Sequence, residues 1–321
     1  MNRRKVVLAL AALLTATQLA HAQQRSVRVG ALVGRKISIF WPPIIKRLGE
    51  LGYVEGKNLV LEYRSADGVS ERFATLAREL IDAKCDLIFA IGAEQAARAL
   101  IDAKSPVPTV IIANDYDPVK SGIVASLRRP GGNVTGIGVT QLELAAKRME
   151  IMHEMLPAAR RYLALGDTFS KDQLDAVVQA GRRLGVEVVA ETFGAPPYDI
   201  EAVLTKYRQQ RIDALMLTSS PHLADLRVRI SATALKLGLA VSTPNLWDDA
   251  LSFVLNFAPD QPKLAARAAD IAVSLLRGAK AAETPVENPT VYNLVINLRT
   301  AKALNIKVPQ SLLLRADRVI D

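Results

Sequence analysis

Groups able to do covalent chemistry are scarce in this chain. His21, His153 and His222 are its three histidines and Cys85 is its single cysteine. None of them stands in an H-E-x-x-H zinc motif, and neither a G-x-S-x-G elbow nor a phosphate-binding P-loop is present. Gly136-Ile137-Gly138 lacks the third glycine of a dinucleotide fingerprint, and Ser219, Ser220 and His222 do not make a triad by adjacency in sequence. Two histidines beyond His21 are too few for a metal cluster. The expectation is therefore no enzyme, with no catalytic residue, no metal and no cofactor. Polar residues recur instead behind short apolar runs: Gly34-Arg35-Lys36, Gly92-Ala93-Glu94, Asn114-Asp115-Tyr116-Asp117, Gly166-Asp167-Thr168-Phe169-Ser170, Ser219-Ser220 and Pro244-Asn245-Leu246-Trp247-Asp248. Such side chains hold a small polar molecule reversibly, through hydrogen bonds, ion pairs and stacking.

The elements that must position these loops follow from the periodicity. A β-type run at 27–33 precedes a helical stretch ending at Leu51-Gly52, a second run at 58–63, a helix from about Ser70 and a third run at 86–92. The same grammar returns at an offset of about 130 residues: a run at 162–166, a helix ending at Leu184-Gly185, a run at 186–191, another helix and a run at 213–219. Strands alternating with helices predict an α/β fold of two doubly wound parallel-sheet lobes joined by a hinge. The apolar strands and short polar loops fit this better than one eight-fold barrel, which counting elements does not exclude. In open parallel sheets ligands lie beyond the carboxyl ends of the strands. That rule selects Arg35, Ala93, Glu94, Asn114 and Asp115 in the first lobe, and Thr168, Phe169, Ser219, Ser220, Asn245 and Trp247 in the second.

Each candidate has a plainer reading beside it. Glu94 either caps a helix N-terminus, where the dipole favours a carboxylate, or meets a ligand amine or hydroxyl. Asn114 and Asp115 either face a ligand or bond only their own loop. Trp247 either stacks on a flat or quaternary group or packs as a lid. Asp117-Pro118 is expected to open a helix, and Pro130-Gly131-Gly132-Asn133 to turn into a strand at 134–139. His153, within a helical run at 142–156, is expected at the surface; His222, behind Pro221 at a helix start, faces either the cleft or solvent. Cys85 reads as a small buried side chain, and as a lone cysteine it excludes an intramolecular disulfide.

The first 22 residues read as an export signal: a basic Asn2-Arg3-Arg4-Lys5, an apolar run from Val6 to Leu14, and an Ala20-His21-Ala22 cleavage site. The apolar run is shorter than the ~20 residues that span a bilayer. An uncleaved anchor is the alternative, but cleavage and a periplasmic location are expected. Removing Arg3, Arg4 and Lys5 lowers the formal charge from +9 to about +6. No basic cluster with interleaved aromatics appears, so nucleic acid is not expected as a partner. The remaining chain, half apolar, can build two cores.

Three strings resemble one family: Leu48-Gly-Glu-Leu-Gly-Tyr-Val-Glu-Gly-Lys-Asn-Leu59, Asp117-Pro-Val-Lys-Ser-Gly-Ile-Val-Ala-Ser-Leu-Arg-Arg-Pro-Gly-Gly-Asn-Val-Thr-Gly136 and Leu294-Val-Ile-Asn-Leu-Arg-Thr-Ala-Lys-Ala-Leu304. From about Val27 to Asp321 the chain resembles the substrate-binding proteins of ABC transporters, in the subgroup that includes tryptophan and tyrosine binders. The resemblance implies a type I periplasmic binding fold, with one lobe at 27–138 plus about 258–285 and the other at 139–257 plus about 286–321. It implies a monomer that holds a small, amino-acid-like ligand at the hinge and delivers it to membrane ABC permease subunits; a periplasmic sensing module would use the same cleft. Three departures stand out. Relatives commonly carry small residues, threonine and proline where this chain has Gly92-Ala93-Glu94-Gln95, and often a histidine where it has Arg35-Lys36-Ile37-Ser38. They often carry a Gly-Leu-x-Ser-Tyr-Gly-like strand where it has Ala250-Leu-Ser-Phe-Val-Leu-Asn-Phe257.

Overall fold

Val27–Val33 (β1) shows how the first sheet is made. Its apolar residues face both ways, Val29, Ala31 and Val33 into one core and Leu32 into another, as a parallel strand covered on both faces requires. It pairs in parallel with β2 (Leu59–Ser65) and β3 (Leu87–Gly92); β4 (Thr109–Ala113) and β5 (Val134–Gly138) complete a five-stranded parallel sheet of order β2-β1-β3-β4-β5. Three helices run between these strands: α1 (Trp41–Glu50), α2 (Arg72–Asp82) and α3 (Glu94–Asp102). The computed structural model describes residues 26–34, 38–114, 116–168, 170–194, 197–245 and 250–321. The export signal expected at 1–22 lies outside the described residues.

The second sheet has seven strands. Chain order brings α4 (Gln141–Met155), β6 (Arg161–Asp167), α5 (Lys171–Leu184), β7 (Glu187–Phe193), α6 (Ile200–Gln209) and β8 (Ala214–Leu217). Next come α7 (Pro221–Asp225), α8 (Arg227–Lys236), β9 (Ala240–Thr243) and β10 (Leu255–Pro259). After α9 (Gln261–Leu276), β11 (Tyr292–Asn297), α10 (Leu298–Ala303), α11 (Gln310–Arg315) and β12 (Arg318–Ile320) close the chain. The sheet order is β12-β11-β10-β9-β8-β6-β7. Helix ends carry their expected devices: Asp199 and Asp260 accept from the backbone N–H of Ala202 and Lys263, and Gly185 closes α5 at φ 71°.

Three stretches cross between the lobes. β5 ends at Gly138 and α4 begins the second lobe at Gln141; β10 ends at Pro259, and α9 packs on α1, β4 and β5 of the first lobe. The chain then bridges Ile137 at Glu287 before returning as β11. One strand pair departs from the parallel pattern of the two sheets. A strand that leaves for the first lobe and one that comes back from it must run in opposite directions, and β10 and β11 are antiparallel. Because β5 and β10 both leave at their carboxyl ends, the loops after the other parallel strands of both sheets lie on the side of the crossings. Leu144 joins Val139 and Leu264 in the first lobe's core, while Phe257 packs against cores of both lobes.

Two expectations are corrected. Asp117-Pro118 opens a turn and no helix: Asp117 Oδ1 accepts from the N–H of Val119 and Lys120 at 2.9 and 3.1 Å, and Gly122 at φ 67° ends the turn at once. His153 is half-buried, its Nδ1 3.2 Å from the Tyr162 hydroxyl. Cys85 is buried in the first lobe, where desolvation, then the charge of Glu62, pushes its thiol up to about 11. A thiol reagent at neutral pH is expected to leave Cys85 unmodified in native protein and to label it in denaturant. Labelling at equal rates in both states would show that the core around it opens.

Candidate ligand-binding site

The strand registers set the polar loops side by side. In the first lobe Gly92 lies opposite Ala113, so Ala93 and Glu94 neighbour Asn114 at one sheet edge. In the second, Leu165 lies opposite Leu217 and Met216 opposite Ser242. Asp167, Ser219 and Asn245 therefore stand along the corresponding edge.

Asp167 organises the second edge. It is the last residue of β6 and fully enclosed, yet its carboxylate is well supplied with donors. Ser170 Oγ donates to Oδ1 at 3.1 Å, Ser220 Oγ donates to Oδ2, and His222 Nδ1 lies 3.3 Å from Oδ2. Behind them Thr218 Oγ1 donates to Ser170 Oγ at 2.8 Å. Ser220 is also the cap of α7, accepting from the N–H of His222 and Leu223. One hydroxyl thus ties the helix start to the carboxylate. Gln173, on α5, clamps Ser219 from behind: its Nε2 donates to the Ser219 carbonyl at 3.0 Å and its Oε1 accepts the Ser219 N–H at 2.8 Å.

An aromatic pair flanks the carboxylate. Phe193 is opposite Asp167 in register, and Tyr198 stacks on it with centroids 4.5 Å apart and planes 5° from parallel. The Tyr198 hydroxyl lies 3.3 Å from His222 Nδ1. Burial, then the charge of Asp167 and its hydrogen bond to this hydroxyl, raises the phenol above its ordinary value. The edge thus gathers serine and threonine hydroxyls, a carboxylate, a partly exposed imidazole and a buried aromatic pair. It can orient a polar organic molecule. Ser170, Thr218 and Ser220 commit their hydroxyls to this network.

The residues selected from sequence fall in different places. Ser219 and Ser220 belong to the buried cluster. Asn245, also buried, takes a hydrogen bond at 3.3 Å from Gln261 Nε2 at the start of α9, tying the second lobe's edge to the crossing. Ala93 caps α3 with extended backbone, and Glu94, its first residue, pairs with Arg98 at 2.9 Å while Arg98 also donates to the Ser121 carbonyl. Asn114 is half-buried at the end of β4, and Thr168 is exposed at the end of β6. Arg35, Asp115, Phe169 and Trp247 lie outside the described residues. Sequence reasoning missed Asp167, Ser170, Gln173, Tyr198 and His222 as one constellation. Asp167 and Ser170 stand in one strand-end loop, but nothing in spacing links them to Tyr198, which lies between β7 and α6. Among the described residues no group of three or more His, Cys, Asp or Glu is arranged to hold a metal, and no helix is long and apolar enough to cross a membrane.

Comparison with known proteins gives four findings. Residues 41–209 and 254–320 match the family model described as ABC transporter substrate binding protein. The tyrosine-binding protein of Clostridioides difficile (strain R20291) is 25% identical over 266 residues, covering 82% of this chain and 75% of that protein. The fold is similar to that of an ABC domain from Streptococcus pneumoniae solved in complex with L-Trp, with a TM-score of 0.82, 24% identity, and coverage of 92% of this chain and 100% of that one. A conserved domain protein of Vibrio cholerae gives a TM-score of 0.83 at 21% identity, with the same coverage.

Proposed function

The chain belongs to the ABC transporter substrate binding protein family, and from that premise we propose that it is an exported receptor for a small, polar, amino-acid-like solute. The solute is captured between the two lobes and handed to the membrane permease of an importer. The observation that carries this reading is the buried edge of the second sheet, where Asp167, Ser170, Ser219 and Ser220 are held ready beside the crossings. Polar groups enclosed this tightly lose little further freedom on meeting a ligand, which is how a preorganised site gains affinity. The tyrosine-binding relative and the L-Trp complex support an amino acid as the solute.

Closure follows from the path of the chain. Three adjacent crossings leave the lobes free to rotate about one axis, and a ligand that touches both strand edges shifts that equilibrium by its differential affinity for the closed form. The permease then reads the closed shape. Residues 1–22 supply the export signal that places the protein in the periplasm. The test is uptake: cells lacking the protein should lose import of the solute it binds and regain it with the full chain. Normal uptake together with a lost transcriptional or chemotactic response would assign the receptor to sensing.

A further inference from the structure

Arg148 is the least satisfied charge among the described residues. It lies on α4, only 1% exposed, and its Nε, Nη1 and Nη2 have no hydrogen-bond partner. Burial alone acts on the guanidinium, lowering its pKa to about 9, so it stays charged at neutral pH. It is also the only buried Lys or Arg among the described residues. Removing a charge from water without a partner is among the costliest features a fold can carry. Such a group persists where something outside the chain completes it.

Its position shows where that completion comes. α4 starts directly behind the first crossing, and Leu144, one turn before Arg148, is buried in the first lobe's core. Ala145 and Met149 belong to the second lobe's core. Gln141, Leu144 and Arg148 share one helix face, and helical side chains lean towards the N-terminus. The guanidinium is thus directed towards the crossing. Other unmet polar atoms gather on the same layer. Gln141 Oε1 and Ser242 Oγ are both buried without a partner. Ser242 is opposite Leu255 and Met216, which share a core with Ala145 and Met149, so it faces the α4 side of the sheet.

We propose that Arg148 receives a carboxylate of the ligand, flanked by Gln141 and Ser242, when the lobes part and close again around it. This rests on the reading of the cleft as a ligand site and gives that site a polarity, with a cation under the hinge and the Asp167 carboxylate at the strand edge. A single guanidinium fork matches a singly charged carboxylate in a bidentate pair. With no second buried Lys or Arg among the described residues, a phosphate dianion is a poorer fit.

The experiment compares mature wild-type protein with Arg148→Met and Arg148→Lys. Melting without ligand comes first: Arg148→Met, which removes the unpaired charge while keeping an aliphatic stem, is expected to melt several degrees higher than wild type. Calorimetric titration with L-tyrosine and L-tryptophan follows, alongside tyramine and tryptamine, which lack the carboxylate. The amino acid that binds wild type is expected to lose on the order of 100-fold in affinity in Arg148→Met and less in Arg148→Lys, and its amine to bind wild type as weakly as the variant binds the amino acid. An Arg148→Met protein that melts lower or fails to fold overturns the proposal, as does one that binds the amino acid as tightly as wild type. If neither amino acid binds wild type, the proposed function fails on its choice of solute, while the melting comparison still decides Arg148.

Discussion

Asp167→Ala is expected to weaken binding of the solute by at least ~100-fold and to destabilise the protein by about 3 kcal/mol. The carboxylate is fully enclosed and joins Ser170, Ser220 and His222. Truncation leaves two buried hydroxyls without their acceptor. The loss then spreads: Ser170 no longer anchors Thr218, and Ser220, which caps α7, is no longer held in its capping rotamer. Networks of this kind fail together because each bond orients the next. Asp167→Asn separates the two effects. It keeps the shape but presents an amide that cannot accept from every donor in the cluster, so the fold should survive while binding falls. Urea melts read the stability and titration reads the affinity. A wild-type midpoint for Asp167→Ala would mean that water satisfies these hydroxyls as well as the carboxylate does.

Gly136→Ala is expected to remove ~4 kcal/mol or more, enough to leave little folded protein. Gly136 sits in β5 with φ at 143°, and a Cβ there would stand 2.1 Å from the Ile111 carbonyl oxygen and 2.6 Å from its nitrogen. The clash is with backbone, so no side chain can turn aside. Moving β5 away would break its pairing with β4, in which Ile111 and Gly136 are opposed. It would also break the hydrogen bond of the Gly136 carbonyl to the Glu287 N–H at 2.9 Å, which holds the third crossing. The yield of soluble protein and its far-ultraviolet dichroism check this. A variant with wild-type yield and melting would contradict the strand register on which the hinge rests.

The two-lobe architecture is legible in the sequence because apolar strands and helix ends repeat at a constant offset, with Leu184-Gly185 standing to the second lobe as Leu51-Gly52 stands to the first. The antiparallel β10–β11 pair is not, since it arises from a return path between lobes that leaves no trace in local periodicity. Asp117-Pro118 has the chemistry of a helix start, and Asp117 caps as expected, but Gly122 stops the chain after one turn. At the site, the rule of strand ends leads to Ser219 and Ser220. It also leads to Glu94, whose carboxylate pairs with Arg98 one turn on. The Asp167 cluster stays hidden for another reason. Its members come from four separate stretches around 167–173, 193, 198 and 218–222, and only the β6–β7 and β6–β8 registers bring them together. Arg148 is harder still, because a basic residue in an amphipathic helix reads as a solvated one until burial is seen.

The most direct measurement is native mass spectrometry of the mature protein taken from its own periplasm without dialysis, followed by denaturation to identify what is released. One intact, carboxylate-bearing small molecule per chain is expected, bound by wild type and absent from Asp167→Ala. A chemically altered product, or an amine without a carboxylate held as tightly as the amino acid, would contradict it.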